Sequence, residues 1–160
     1  MSREHESDER LVAQNRRARH DYFILETFEA GLVLSGTEVK SLRLGKASLA
    51  EAYATVENGE AFVLQLHIPP YEQGNRWNLD PVRRRKLLLH GREITRLVGK
   101  ISEKGLTVVP LKLYFKGGRV KMEVGLARGK KLHDKRATLR ERETRREMDK
   151  AARAHQAGRW

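Results

Sequence analysis

Thr107-Val108-Val109-Pro110-Leu111-Lys112-Leu113-Tyr114-Phe115, then Lys116-Gly117-Gly118, then Arg119-Val120-Lys121-Met122-Glu123-Val124-Gly125-Leu126 decides the fold class. Both outer segments are rich in the β-branched and aromatic residues that suit a pleated, half-buried surface. The paired glycines between them accept the positive φ of a tight hairpin turn. A second pair of extended segments precedes it: residues 53–56 and 61–68 flank Asn58-Gly59, whose turn chemistry again predicts a hairpin. Residues 22–34 form a further extended segment, in which Gly31 is expected at a bulge or bend. From Thr37 the period changes, because Val39, Leu42 and Leu49 sit among Glu38, Lys40, Arg43 and Lys46. That spacing predicts one short amphipathic helix closed near Gly45. Residues 92–104 predict a second helix, with Gly105 as its C-cap. Residues 69–81, opened by Pro69-Pro70, predict a long surface loop. Short antiparallel strands with a few helices imply a mainly β fold: a small closed or nearly closed barrel that leaves few exposed sheet edges.

Outside this middle stretch the composition shifts twice. Residues 1–14 are polar without a sustained apolar period and are expected to be a disordered leader before a domain at 15–128. Residues 129–160 hold eleven Lys or Arg against five Asp or Glu, so half of the chain's net charge of +12 lies in a fifth of its length. Leu132, Leu139, Met148 and Trp160 are too scattered to dock a helix on a core. Thr138-Leu139-Arg140-Glu141 is nevertheless a capping-box pattern, and Glu141/Arg145 and Asp149/Arg153 are favourable i, i+4 pairs. Such pairs contribute about 0.2–0.5 kcal/mol each. The tail is therefore expected to be disordered alone and helical against a polyanion.

A net charge of +12 on 160 residues points to nucleic acid as the partner. No stretch approaches the roughly 20 apolar residues of a spanning helix, so no membrane partner is expected. The N-terminus does not read as a secretory signal, and the absence of cysteine removes disulfides, thiolate zinc sites and a Cys nucleophile. A cytoplasmic protein without a cofactor is the expectation. A metal nuclease using His133, Glu29 or Asp80 would need several gathered carboxylates, and the spacing shows no such cluster.

Several blocks carry a resemblance. Asn15-Arg16-Arg17-Ala18-Arg19-His20-Asp21-Tyr22, Glu29-Ala30-Gly31, Gly36-Thr37-Glu38-Val39-Lys40-Ser41-Leu42-Arg43, Asp80-Pro81, Arg85-Lys86-Leu87-Leu88-Leu89, and Gly125-Leu126-Ala127-Arg128-Gly129-Lys130-Lys131-Leu132-His133-Asp134-Lys135-Arg136 resemble the SmpB family in order and spacing. The resemblance covers about residues 15–136. It implies an oligonucleotide-binding (OB)-like barrel, no catalytic residues, and binding to the tRNA-like domain of transfer-messenger RNA. It also implies delivery of that RNA to stalled ribosomes, with elongation factor Tu and alanyl-tRNA synthetase as indirect partners through the RNA.

Candidate RNA-contacting residues follow. Asn15, Arg16, Arg17 and Arg19 offer guanidinium forks to phosphate or bases, against the plainer reading of a solvated charge run. Glu29 matches a family position at the RNA interface, although a carboxylate there also suits a structural ion pair. Arg83, Arg84, Arg85 and Lys86 are four adjacent cations, which repel unless an anion lies near; phosphate is the expected anion. Leu88 matches a position associated with RNA binding. Lys112, Tyr114 and Lys116 alternate with apolar residues, which suggests a basic strand face carrying an aromatic ring. In the tail, Lys130, Lys131, His133, Asp134, Lys135 and Arg136 are expected at the ribosomal decoding centre, with the His133 ring stacking on a base. Arg140, Arg142, Arg145, Arg146, Lys150 and Arg153 are expected along the mRNA channel.

Overall fold

A computed structural model describes residues 9–73, 78–102, 105–130 and 132–157. They divide into two compact units, Met1–Gly129 and Lys130–Trp160. The first contains strands β1 (Glu9–Gln14), β2 (Tyr22–Leu32), β3 (Tyr53–Glu57), β4 (Glu60–Leu64), β5 (Arg85–Leu88), β6 (Leu106–Lys116) and β7 (Arg119–Gly129). Its helices are α1 (Ala18–Asp21), α2 (Gly36–Arg43) and α3 (Gly91–Ile101); the second unit is one helix, α4 (Leu132–Ala157).

All pairings are antiparallel, in the order β1-β6-β3-β4-β5-β2-β7, and β7 returns to β6. Six strands thus close a barrel, as the strand pattern predicted, and β1 lies outside the ring on β6. Both hairpins use the expected turns: Asn58 and Gly59 have φ of 50° and 75°, and Gly117 and Gly118 have φ of 56° and 75°. Bulges interrupt β2 between Ile24 and Glu26 and β6 between Pro110 and Lys112. They switch which face points inward, so the main core, with Phe28, Val63, Leu87, Leu113, Met122 and Val124, is joined by a small outer cluster. Ala18, Val109, Leu111 and Ala127 form that cluster. Gly31 is not the site of the β2 bulge. It is needed for close approach, because a Cβ there would lie 3.2 Å from the Leu88 Cβ.

The largest side chain with no exposed surface is charged. Arg85 donates from Nε to Glu38 Oε2 (2.6 Å), from Nη1 to the carbonyls of Leu66 (2.5 Å) and Arg83 (3.2 Å), and from Nη2 to Pro81 O (3.0 Å). Glu38 also accepts from Arg83 Nη2 (2.5 Å) and from the backbone N–H of Ser35 (2.9 Å), which closes the capping box of α2. Burial alone would raise the Glu38 carboxyl, but donors from Arg83, Ser35 and Arg85 outweigh it and hold the group below its usual 4.5.

One expectation is corrected. Residues 9–14 belong to β1 rather than to a disordered leader; Met1 to Asp8 lie outside the described residues. Val12 and Ala13 pack on the core from one strand of six residues, and a shift in pairing between Leu11 and Ala13 erases the alternation that would have marked it. The tail forms the helix α4, the conformation expected for it against a polyanion. At 26 residues α4 exceeds the roughly 12–15 below which isolated helices are marginal, and Ala, Arg, Glu and Lys favour it throughout. Its described side chains, Arg136 and Leu139 to Ala152, are all exposed, so local preferences rather than packing hold it.

Two measurements test these assignments. Glu38→Gln leaves a buried guanidinium without its counter-charge and should destabilise the fold by about 3–5 kcal/mol in denaturant titration. A carboxyl depressed in the fold contributes stability above its unfolded pKa and loses it as pH falls through the folded value. The wild type should therefore weaken on acidification below about pH 4.5, and the variant should show less of that loss. For α4, removing residues 130–160 should subtract the far-ultraviolet circular dichroism of about 26 helical residues from the free protein. An unchanged helical signal would show that the tail is not helical without RNA.

Candidate nucleic-acid interface

Strand register brings one group of the expected residues onto a single outer face. Opposite Glu29 on β2 stands Glu123 on β7, and opposite Glu123 stands Lys112 on β6. One pleat further along, Gly31 faces both Leu88 on β5 and Lys121 on β7, and Lys121 faces Tyr114. Side chains two residues apart share a face. Glu29, Leu88, Lys112, Lys121 and Lys116 therefore form one patch.

Asn15, Arg16 and Arg19 reach the same patch from the β1–α1 corner. They line a shallow cleft of about 100 Å³ with Lys112 and Glu123. Asn15 anchors this corner, because its backbone N–H donates to Leu111 O (2.8 Å) and its Nδ2 to Pro110 O (3.1 Å). Arg16 and Arg17 are exposed, and their guanidinium groups have no partner among the described residues. Arg17 and Arg16 also border a larger cleft of about 490 Å³ between β1 and residues 47–50. These guanidinium groups have their donors open to an incoming phosphate.

Leu88 is 53% exposed, which is unusual for a large apolar residue beside a core. A cleft of about 280 Å³ opens over it, with Gly31 and Leu34 on one side and Arg119 and Lys121 on the other. An apolar floor with cations at the rim suits an unstacked base and its flanking phosphate.

The run from Arg83 to Lys86 is not one phosphate strip. The expected RNA contact by Arg85 is corrected: the residue is 1% exposed and every guanidinium nitrogen is used within the protein. Arg83 is drawn to the same carboxylate. Arg84 stacks 3.6 Å from the centre of the Phe62 ring and pairs with Glu57 (2.9 Å), while Lys86 pairs with Glu60 (3.1 Å). The anions that relieve four adjacent cations are glutamates of the chain itself. Arg84 and Lys86 remain about half exposed and open to solvent, so an RNA phosphate competes there with weak surface pairs.

Glu29 is held on both sides. Its Oε2 accepts from the Tyr114 hydroxyl (2.5 Å) and lies 3.2 Å from Lys116 Nζ. The Tyr114 hydrogen bond outweighs partial burial, and with Lys116 it keeps the Glu29 carboxyl below its ordinary range. Tyr114 itself is 4% exposed, so it is not the accessible ring that the alternation on β6 suggested. Burial, then its bond to Glu29, pushes its hydroxyl above the ordinary range and keeps it a donor. The outward row Arg119, Lys121 and Glu123 was missed as a group, although its alternation with Val120, Met122 and Val124 is legible in β7.

In the second unit, Arg136, Arg140, Arg142, Arg145, Arg146 and Lys150 are exposed along α4, and Lys130 precedes it. Lys131 lies outside the described residues, as do the side chains of His133, Asp134, Lys135 and Arg153. Among the described residues no group of three or more His, Asp or Glu could hold a metal ion, and no helix is long and apolar enough to cross a membrane.

Comparison with known proteins follows the same outline. A family model described as SmpB protein matches residues 12–154. An SsrA-binding protein of Acetivibrio thermocellus is 61% identical over 143 residues, which cover 89% of this chain and 93% of that protein. An SsrA-binding protein of Geobacillus thermodenitrificans is 56% identical over 147 residues, covering 92% and 95%. Among solved structures, a chain from work on tmRNA-SmpB described as "a journey to the center of the bacterial ribosome" superposes with a TM-score of 0.65. It is 55% identical and covers 79% of this chain and 93% of its own. A match of this length across core, outer face and tail leaves one assignment: the chain belongs to the SmpB family.

Proposed function

We propose that the chain binds the tRNA-like domain of transfer-messenger RNA through its barrel and carries that RNA into ribosomes stalled on broken messages. The observation that carries this reading is the outer face itself. It sets the open guanidinium group of Arg16, the apolar Leu88 cleft and the held carboxylate of Glu29 on one outer face, with Arg17 at its β1 border, in a chain 55% identical to a protein solved as tmRNA-SmpB. Cations hold the phosphates while the cleft and the carboxylate address bases and 2′-hydroxyls. Asn15, Arg16, Arg17, Arg19, Glu29, Arg84, Lys86 and Leu88 make up the RNA surface; Arg83 and Arg85 support it from within.

The tail serves the ribosome. Lys130, Lys131, His133, Asp134, Lys135 and Arg136 engage the vacant decoding centre, and Arg140, Arg142, Arg145, Arg146, Lys150 and Arg153 line the mRNA channel. A helix whose cations spread over more than half of its circumference, with no apolar stripe, is suited to a channel walled by phosphate, because several walls can meet cations at once. Elongation factor Tu and alanyl-tRNA synthetase act on the bound RNA rather than on the protein. The protein makes and breaks no bond, and it works in the cytoplasm.

Binding to transfer-messenger RNA, measured from low to moderate salt, should show log K falling with log salt at a slope of about −3 to −5, for roughly four to six neutralised phosphates. Replacing Arg16 and Arg17 together by Ala should make that slope shallower by about 1.4–1.8, at about 0.7–0.9 per contact. An unchanged slope would move the interface elsewhere. In the tail, Thr144→Pro removes a backbone donor at about 3 kcal/mol or more within a helix. It should leave RNA binding intact and abolish peptide tagging on stalled ribosomes, whereas Thr144→Ala should tag normally. Equal tagging by the two variants would show that charge alone is what the tail contributes.

A further inference from the structure

We infer that Tyr114 is a positioning residue for RNA recognition: its buried hydroxyl fixes the Glu29 carboxylate as an oriented acceptor for a base amino group or a 2′-hydroxyl. The inference rests on the reading above, in which Glu29 faces RNA. It begins from a conflict of charge. Every phosphate of the ligand repels a carboxylate, so Glu29 weakens binding unless it meets a donor. Bases and ribose supply donors, and the phosphate backbone does not. A carboxylate in a basic interface is thus a selector of RNA groups rather than a contributor to general affinity.

Selection requires that the acceptor be charged and aimed. The strand register places Tyr114 two strands away from Glu29, and its side chain spans β7 to reach it. With 4% of its surface exposed, the ring lies under the patch, and its hydroxyl donates to Glu29 Oε2 at 2.5 Å. Lys112 Nζ sits 5.1 Å from the ring centre, and Lys116 Nζ lies 3.2 Å from Glu29 Oε2 and 3.5 Å from Oε1. Tyr114 and the ammonium therefore concentrate on Oε2. Oε1 takes the longer 3.5 Å contact from Lys116, and with the Glu29 side chain still 39% exposed it keeps acceptor capacity for an incoming donor. A surface Glu has three rotatable side-chain bonds and neighbouring lysines at 116 and 121 to fall toward. A short bond to a ring that cannot move holds it in one geometry, so its ordering entropy is met before RNA arrives. The bond also favours the ionised form, in the same direction as the lowered pKa of Glu29.

Tyr114→Phe keeps the ring and removes only the hydroxyl, so the full-length variant should melt cooperatively. The probe is the tRNA-like fragment of transfer-messenger RNA, with a generic RNA duplex as control. Tyr114→Phe should weaken binding to the fragment about five- to tenfold, the scale of one net hydrogen bond. It should leave duplex binding and the salt slope unchanged. Its loss of binding on acidification should begin at higher pH than in the wild type, because the Glu29 carboxyl, relieved of its donor, protonates earlier. In a Glu29→Gln background the Tyr replacement should have no further effect. Equal weakening in both backgrounds, or a wild-type pH profile in Tyr114→Phe, would overturn the positioning role. If Glu29→Gln weakens binding while Tyr114→Phe does not, Glu29 is an RNA contact that needs no positioning, and the inference alone fails. If Glu29→Gln binds as the wild type does, the RNA-facing reading of Glu29 fails, and the inference fails with it.

Discussion

The guanidinium of Arg85 is a charge that the fold encloses, and most of the molecule's geometry answers to it. A buried cation is tolerated only with a counter-ion and with its remaining donors satisfied. Glu38 provides the charge, and the carbonyls of Leu66, Pro81 and Arg83 take the other donors. Those partners come from α2, from the end of the β4 arm and from the approach to β5. One side chain thereby ties α2 to the paired strands β4 and β5. With Arg85 inward, the strict alternation of β5 sends Lys86 and Leu88 outward. Gly31 then admits Leu88 against β2, and the outer cleft follows. The outer cleft is thus set by a bond on the opposite side of the same strand.

This coupling explains what was and was not legible in the sequence. The two hairpins could be read because Asn58-Gly59 and Gly117-Gly118 solve a local problem, the positive φ of a tight turn, with residues that few other contexts require. The helices at α2 and α3 were readable from period, although α3 stops at Ile101 rather than Lys104. The run from Arg83 to Lys86 was not readable in the same way. Charge density along a chain gives the repulsion among cations but not the position of the anions, and Glu38, Glu57 and Glu60 lie 26 to 45 or more residues away. β1 escaped for a related reason. Its stability comes from pairing with β6, about a hundred residues later, and its shifted pairing at Val12 hides the alternation.

The site shows the same division between local and distant causes. Arg16, Arg17 and Arg19 stand out in sequence because they are clustered, and the structure leaves them exposed. Leu88 and Glu29 stand out only through resemblance. A single leucine or glutamate carries no local signature of function, and each owes its role to neighbours on other strands: Gly31 in one case, Tyr114 in the other. Acidic residues on this basic surface also divide into two kinds. Glu57 and Glu60 pair with Arg84 and Lys86 in water, where such pairs contribute little and yield readily to phosphate. Glu29 is tied to a buried donor and does not yield. The first kind tempers the field until the ligand arrives, and the second remains to be met by it.

Charge has a different consequence in α4. Its arginines and lysines repel one another in the free protein, and five acidic residues in the 129–160 segment only partly offset them. The helix nevertheless forms without an apolar face to dock. Local preferences suffice for its length, but they leave a marginal balance, in which each pair contributes a few tenths of a kcal/mol. Phosphate on several sides would relieve the repulsion, because the cations spread over more than half of the helix circumference. An apolar stripe would instead fix one rotation and compete with the channel by docking on protein. The lack of a stripe, which deprives α4 of tertiary support, is therefore also what keeps its described cations exposed and available to a polyanion.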